Sequence, residues 1–176
     1  MIKQQLIISG VGGQGILFIT RLLAEAAIAK GLPVLTSETH GMAQRGGIVI
    51  SHLKAGDFAS PLVRPAQADG LLALKGECVP LHRHFLRPGG WMAVNALPAM
   101  VAEAGHPVLT VDADAAALAL GNPQGVNLVL LGRALAEPGL LFCTAAEVEE
   151  AIRRKLSARP KLLGGALAAL RSGLHG

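Results

Sequence analysis

The chain is short of sulfur, of aromatics and of long apolar runs. Of its 176 residues two are cysteine, Cys78 and Cys143, far apart and in no C-x-x-C arrangement. An iron–sulfur cluster typically takes four thiolates, so a self-contained cluster is excluded, and so is a cysteine-rich zinc site. Both cysteines read as small buried hydrophobes. Aromatics make up 3% of the chain, with no tyrosine and one tryptophan, so the stacking side chains that single-strand nucleic-acid binders need are missing. The longest apolar segment, Ile16 to Ala29, holds Arg21 and Glu25 and falls short of the roughly 20 residues that cross a bilayer. The apolar stretch near the start is too short for a signal peptide. These absences point to a cytoplasmic protein that engages neither membrane nor nucleic acid. Acids are missing from the last stretch, "AIRRKLSARPKLLGGALAALRSGLHG", which carries six of the Arg and Lys residues and reads as a solvated or partner-facing helix. His82 and His84 form an H-x-H pair with no third ligand spaced nearby, and read as exposed loop residues rather than a metal pair.

What is present is an apolar fraction of 51% drawn from Ala, Leu, Val and Ile, the mix from which α/β layers are built. No polar or Pro/Gly/Ser-rich linker interrupts it, so one domain over 1–176 is expected. Leu6 to Ser9 reads as a short buried strand and Ile16 to Lys30 as a helix closed by Gly31. "LPVLTSE" supplies a second strand and completes a Rossmann-like βαβ unit. "GGIVISHLKAG" reads as a strand that could enter a hairpin with the segment after Gly56-Asp57. "ADGLLALK", "GGWMAVNA" and "HPVLTVDA" are three more runs of strand length. After Asp112 the period turns helical: a short helix capped by Asp114, a second over "GVNLVLLGRALAE", and a third opened by the capping-box spacing of Thr144 and Glu147. The expected fold is a three-layer α/β/α arrangement on a mostly parallel sheet, mixed pairing being left open, with a helical C-terminal third.

Two glycine-rich loops carry the candidate chemistry. "SGVGGQG" places Gly10, Gly12 and Gly15 in G-x-G-x-x-G spacing between a strand and a helix, with Gly13 and Gln14 between them. In such a turn the glycines permit a tight bend and close approach of backbone, and the helix N-terminus offers free N–H groups to an anion. Glu38 follows at the distance where a dinucleotide fingerprint has an acid for a ribose hydroxyl. These six residues are the candidate cofactor-binding set. The second loop, "ETHGMAQRGG", follows the second strand and should lie at the same carboxyl edge of the sheet. Its Gly41, Gly46 and Gly47 allow closely approached backbone, while His40, Gln44 and Arg45 supply an imidazole, an amide and a guanidinium fork. With Met42 they form a candidate loop for substrate or for a subunit interface. No residue is assigned as a covalent catalyst or metal ligand.

Three stretches, "ISGVGGQGILFITRLLAEAA", "SETHGMAQRGGIVISHLKAG" and "VDADAAALALGNPQGVNLVLLG", together resemble the gamma subunit or domain of 2-oxoacid:ferredoxin oxidoreductases, most of all the beta subunit of the indolepyruvate enzymes, where "HGMAQRGG" is typical. Ile48 departs from the small residue expected at its position. The resemblance implies a heteromeric enzyme that oxidatively decarboxylates an aryl 2-oxoacid, passes acyl to coenzyme A and sends electrons to ferredoxin. It implies that thiamine diphosphate, magnesium and iron–sulfur clusters reside on a large alpha subunit, since this chain lacks both the GDG…N signature and the thiolates. The chain alone should be inactive, and whether it forms a homodimer when isolated is left open. Two other assignments stay open: a free-standing NAD(P)- or flavin-binding oxidoreductase, and an assembly module without a ligand of its own.

Overall fold

In the computed structural model of the protein, residues 1–40, 46–97 and 105–176 are described, His40 by its backbone alone. Six strands form one sheet: β1 (Gln4–Val11), β2 (Val34–His40), β3 (Ile48–Ala55), β4 (Ala68–Ala73), β5 (Leu86–Asn95) and β6 (Val108–Val111). Their order is β2-β3-β1-β4-β5-β6, with β1, β4, β5 and β6 parallel to one another in that sequence and β3 antiparallel to both β1 and β2. The sheet is therefore mixed, with its parallel part in the middle and on one side. Leu6, Ile7 and Ile8 of β1 are fully buried because this central strand is covered on both faces, which explains a continuous apolar run instead of an alternating one.

Helix α1 (Ile16–Ala29) crosses from β1 to β2 and ends where Gly31 turns to φ +72°. β1 and β2 run parallel, as a βαβ unit requires, but they are not neighbours: β3 returns between them. β3 thus forms its hairpin with the preceding β2 and not, as its sequence suggested, with the segment after Gly56. Beyond Gly56 the chain passes under the sheet to the start of β4.

The helices divide unequally between the two faces. On one face α1 packs with α3 (Ala113–Ala119), α4 (Val126–Leu135), α5 (Ala145–Leu156) and α6 (Pro160–Leu174) around Leu6, Ile8, Leu53, Leu72 and Trp91. The other face, centred on Ile7, Leu71, Met92 and Val94, is covered by a short helical stretch over residues 76–85, containing α2 (Val79–His82), and by Val63 of the connection before β4. α4 is buried from Val126 through Gly132, as a helix apolar all round must be, because α6 lies across it. The basic C-terminal stretch is thus no free tail: Ala166, Leu167, Ala169, Leu170 and Gly173 of α6 are buried. Some of its cations are tied down as well, Lys155 to Glu25 at 2.6 Å and Arg171 to Glu149 at 2.9 Å.

Two local expectations are decided by capping geometry. The capping box at α5 is present in both halves, Thr144 accepting from the Glu147 N–H and the Glu147 carboxylate from the Thr144 N–H. At α3 the cap is Asp112 and not Asp114, because the Asp112 carboxylate is the one that reaches the N–H three residues on, Ala115 at 2.9 Å. Asp114 instead accepts from the Asn95 amide at 2.8 Å.

Candidate functional site

The glycine turn leaves β1 at the carboxyl edge of the parallel strands, and its residues have separate jobs. Gln14 folds its side chain back into the turn, its Oε1 accepting the Val11 N–H at 2.8 Å and its Nε2 donating to the Leu74 carbonyl at 3.3 Å. Gly10 makes room for this: a β-carbon there would stand 2.8 Å from the Gln14 Oε1 and 2.9 Å from Leu74 Cβ. The same Leu74 carbonyl accepts from Asn95, whose other amide atom takes the Ala113 N–H at 2.8 Å. A chain of side-chain bonds therefore fixes the turn to the ends of β4 and β5 and to the start of α3. Gly15 sits at φ +78° against the buried Asn127 of α4, which donates to the Gly15 carbonyl at 3.1 Å. Gly12 and Gly13 are exposed, and Gly13, at φ +92°, has open space where a β-carbon would stand.

The second loop meets the first at this edge, as its position after β2 predicts. The Gly12 N–H donates to the Gly47 carbonyl at 2.9 Å, beside Gly46 in the left-handed region at φ +94°. His40 closes β2 opposite Val49. Gly41, Met42, Gln44 and Arg45 lie outside the described residues. Glu38 is not on a strand next to β1. It pairs with Ser51, and Ser51 with Ile8, so β3 stands between, at two strand spacings or about 10 Å. In the fingerprint the acid ends the strand beside β1, a place held here by β3.

Beside the joined loops lies a groove of about 470 Å3 between the glycine turn, the first turns of α1, the start of β3 and the end of α5. Its walls are largely apolar, with Val11, Leu17, Phe18 and Val49, and Arg21 and Lys155 supply cationic groups. α1 has no side-chain cap and no acid in its first turn, so its leading N–H groups and dipole are left for an anion. Sequence reading missed Phe18, Arg21, Asn95, Asn127 and Lys155. Their only signals were a cation one turn into an apolar helix and amides at element ends, neither of which reveals which elements meet.

The thiols do not fit a cluster. Cys78 packs on one face of the sheet and Cys143 on the other; burial pushes both thiols up, Cys143 to about 12. His82, expected in an exposed loop, is half-buried at the end of α2, its Nδ1 2.6 Å from the buried Ser9 hydroxyl; its partner His84 is exposed. His52 is buried on β3 and its Nδ1 accepts the Val63 N–H at 3.1 Å, a bond only the unprotonated nitrogen can accept. Burial holds His52 and His82 below 6.5, helped by Lys54 beside the first and by His84 beside the second. The unfolded chain therefore binds more protons as pH falls below 6.5, and stability should drop from there downward while staying flat in these groups above it. Urea midpoints measured between about pH 7.5 and about pH 5 should show this slope. His52→Gln and His82→Gln should each flatten it, and a slope unchanged in both would place its origin elsewhere.

Among the described residues no helix is long and apolar enough to cross a membrane. The fold matches the gamma subunit of a keto/oxoacid ferredoxin oxidoreductase from Geobacter sulfurreducens, with a TM-score of 0.79 at 24% identity over 98% of this chain and 96% of that one. It also matches part of a 2-oxoglutarate:ferredoxin oxidoreductase from Magnetococcus marinus, solved with 2-oxoglutarate, coenzyme A and succinyl-CoA bound, with a TM-score of 0.81 at 21% identity over 98% of this chain and 30% of that one. In sequence, the chain is 32% identical over 193 residues to indolepyruvate oxidoreductase subunit IorB of Archaeoglobus fulgidus, covering 98% of this chain and 94% of the relative. The profile of the pyruvate ferredoxin/flavodoxin oxidoreductase family matches residues 5–175. With fold and sequence in agreement, the chain belongs to the pyruvate ferredoxin/flavodoxin oxidoreductase family.

Proposed function

We propose that this chain is the non-thiamine subunit of a heteromeric indolepyruvate-type 2-oxoacid:ferredoxin oxidoreductase, acting in the cytoplasm as a single gamma-type domain over 1–176. The observation that carries the reading is the junction of the two loops, Gly12 N–H to Gly47 carbonyl, beside an apolar groove with cations at its wall. In this reading thiamine diphosphate, magnesium and iron–sulfur clusters sit on a large alpha subunit and supply the decarboxylation chemistry and the path of electrons to ferredoxin. The contribution of this chain is shape and charge. The open backbone at Gly12 and Gly13, the leading N–H groups of α1 and Arg21 receive an anionic group, a phosphate of coenzyme A or the carboxylate of the oxoacid. Leu17, Phe18 and Val49 keep water from the apolar portion beside it. Arg45, on the segment between β2 and β3, serves the same anion from the second loop. Gly10, Gln14 and Gly15 support the turn, and Glu38 takes no part in holding a nucleotide.

The test is reconstitution. The isolated chain should be colourless and should not turn over indolepyruvate. Mixed with the large subunit, it should restore acyl-CoA formation and acceptor reduction, with activity saturating at equal amounts of the two chains. Arg45→Gln and Arg21→Gln should each lower kcat/KM by about tenfold or more while the complex stays intact in size-exclusion chromatography. Loss of the complex itself would leave an assembly module. Stoichiometric NAD(P) or flavin in the purified chain, or turnover by the chain alone, would make it a free-standing oxidoreductase.

A further inference from the structure

The opposite edge of the sheet carries a second basic cavity. From Gln5 to the glycine turn β1 covers about 20 Å, so this cavity is separate from the groove beside the glycine loops. It has a volume of about 440 Å3 and is lined by Gln5, Lys54, Phe58, Arg64, Pro65 and Gln67. Lys54 lies near the end of β3, paired across the ladder with Gln5. The residue is only 7% exposed, and among the described residues its ammonium has neither an ion-pair nor a hydrogen-bond partner. The ammonium stands over the Phe58 ring, 5.2 Å from its centroid, and the Lys3 ammonium is 5.3 Å from the same ring. Arg64 brings a second positive charge to the cavity.

The carboxylates nearby leave this charge unbalanced. Asp69 accepts from the Gln5 N–H and from Arg87, both at 2.7 Å, and Asp57 is exposed with no ion pair among the described residues. Burial of the Lys54 stem, and then the Arg64 charge, lower the affinity of the Lys54 ammonium for its proton. The Lys54 and Arg64 charges repel one another unless an anion joins them. The wall is also built at a cost: Ala66, between Pro65 and Gln67, is the one non-glycine residue at positive φ among the described residues, at 60°. It is held there by its N–H bond to the His84 carbonyl at 2.9 Å, while Gln67 is tied to Gln5 at 3.1 Å.

We infer that this cavity, with Lys54 and Arg64 beside Phe58, binds a compact polyanion of the phosphate class. One ammonium and one guanidinium fork match several oxygens on one small group, and the volume is that of a small-molecule site. Calorimetric titration of the full chain with inorganic pyrophosphate tests it. In a chain carrying Arg21→Gln, which weakens anion binding in the other groove, binding should be saturable with one site per chain, and Lys54→Met and Arg64→Gln added to it should each weaken that site by about tenfold or more. Lys54→Met keeps the buried stem and removes the repulsion, so its melting temperature should equal or exceed that of the parent. Pyrophosphate should raise the melting temperature of the parent but not of this variant. Weak unsaturable binding, or equal affinity in all variants, would overturn the assignment. So would a free chain that ignores pyrophosphate while the large subunit shields Lys54 and Arg64, which would give the surface to an acidic protein segment.

Discussion

Gly173→Ala should destabilise the protein by roughly 3 kcal/mol or more, whereas Gly164→Ala in the same helix should stabilise it by about 0.5–1 kcal/mol. At Gly173 an added β-carbon would overlap the Val129 carbonyl oxygen and lie 2.9 Å from the Arg133 nitrogen, both on the backbone of α4. No side-chain rotation relieves that contact. α4 cannot yield either, because it is buried between α6 and the sheet, and its Gly132 meets the Leu170 carbonyl in the same way. Gly164 is exposed with nothing within 4 Å, so alanine there only removes backbone freedom from the unfolded chain. Urea unfolding of the two variants side by side gives the answer, and similar midpoints would mean that α4 and α6 do not approach this closely.

Gly15→Ala should cost roughly 3 kcal/mol and abolish most reconstituted activity, by two mechanisms that a double-mutant cycle separates. The position holds φ +78°, which strains any L-residue with a β-carbon, and that carbon would collide with the Asn127 amide. Asn127 is buried and donates to the Gly15 carbonyl, so displacing it leaves a buried polar group without its partner. Asn127→Ala on its own should lose that bond, but in the presence of Gly15→Ala it removes the collision. The double variant should therefore cost less than the sum of the singles. Gly13→Ala, at φ +92° with open surroundings, carries the strain alone and should cost about 1 kcal/mol. Additive effects at Gly15 and Asn127 would show that the two residues do not bear on each other.

Much of the element order was readable from the residues. The apolar run of β1, the helix closed by Gly31 and the capping box of Thr144 and Glu147 are local patterns, set by burial on two faces, by left-handed backbone and by reciprocal hydrogen bonds. The pairing of β3 was not readable. Its β-branched residues suit a parallel or an antiparallel neighbour equally, so nothing local told whether it would lie outside β2 or between β2 and β1. That one placement moved Glu38 away from β1 and brought Gly47 to Gly12. Gln14 shows the same limit at the site: from its spacing it looked free to face a ligand, yet its amide is spent inside the turn. Lys54 gave no signal at all, because alternation along a strand tells which face a residue takes but not whether a counter-charge waits there.

By itself the sequence determined the α/β class, the family and the shortage of thiolates for a self-contained cluster, since these rest on composition, local periodicity and the identity of two glycine loops. Tertiary structure alone decided which glycines lie open and which face protein, where the cations collect, and that the basic C-terminal stretch packs as the end of α5 and α6. The physical reason is range: turns, caps and helix faces are fixed by neighbours along the chain, whereas grooves and charge clusters arise where distant segments are pressed together by burial of the core.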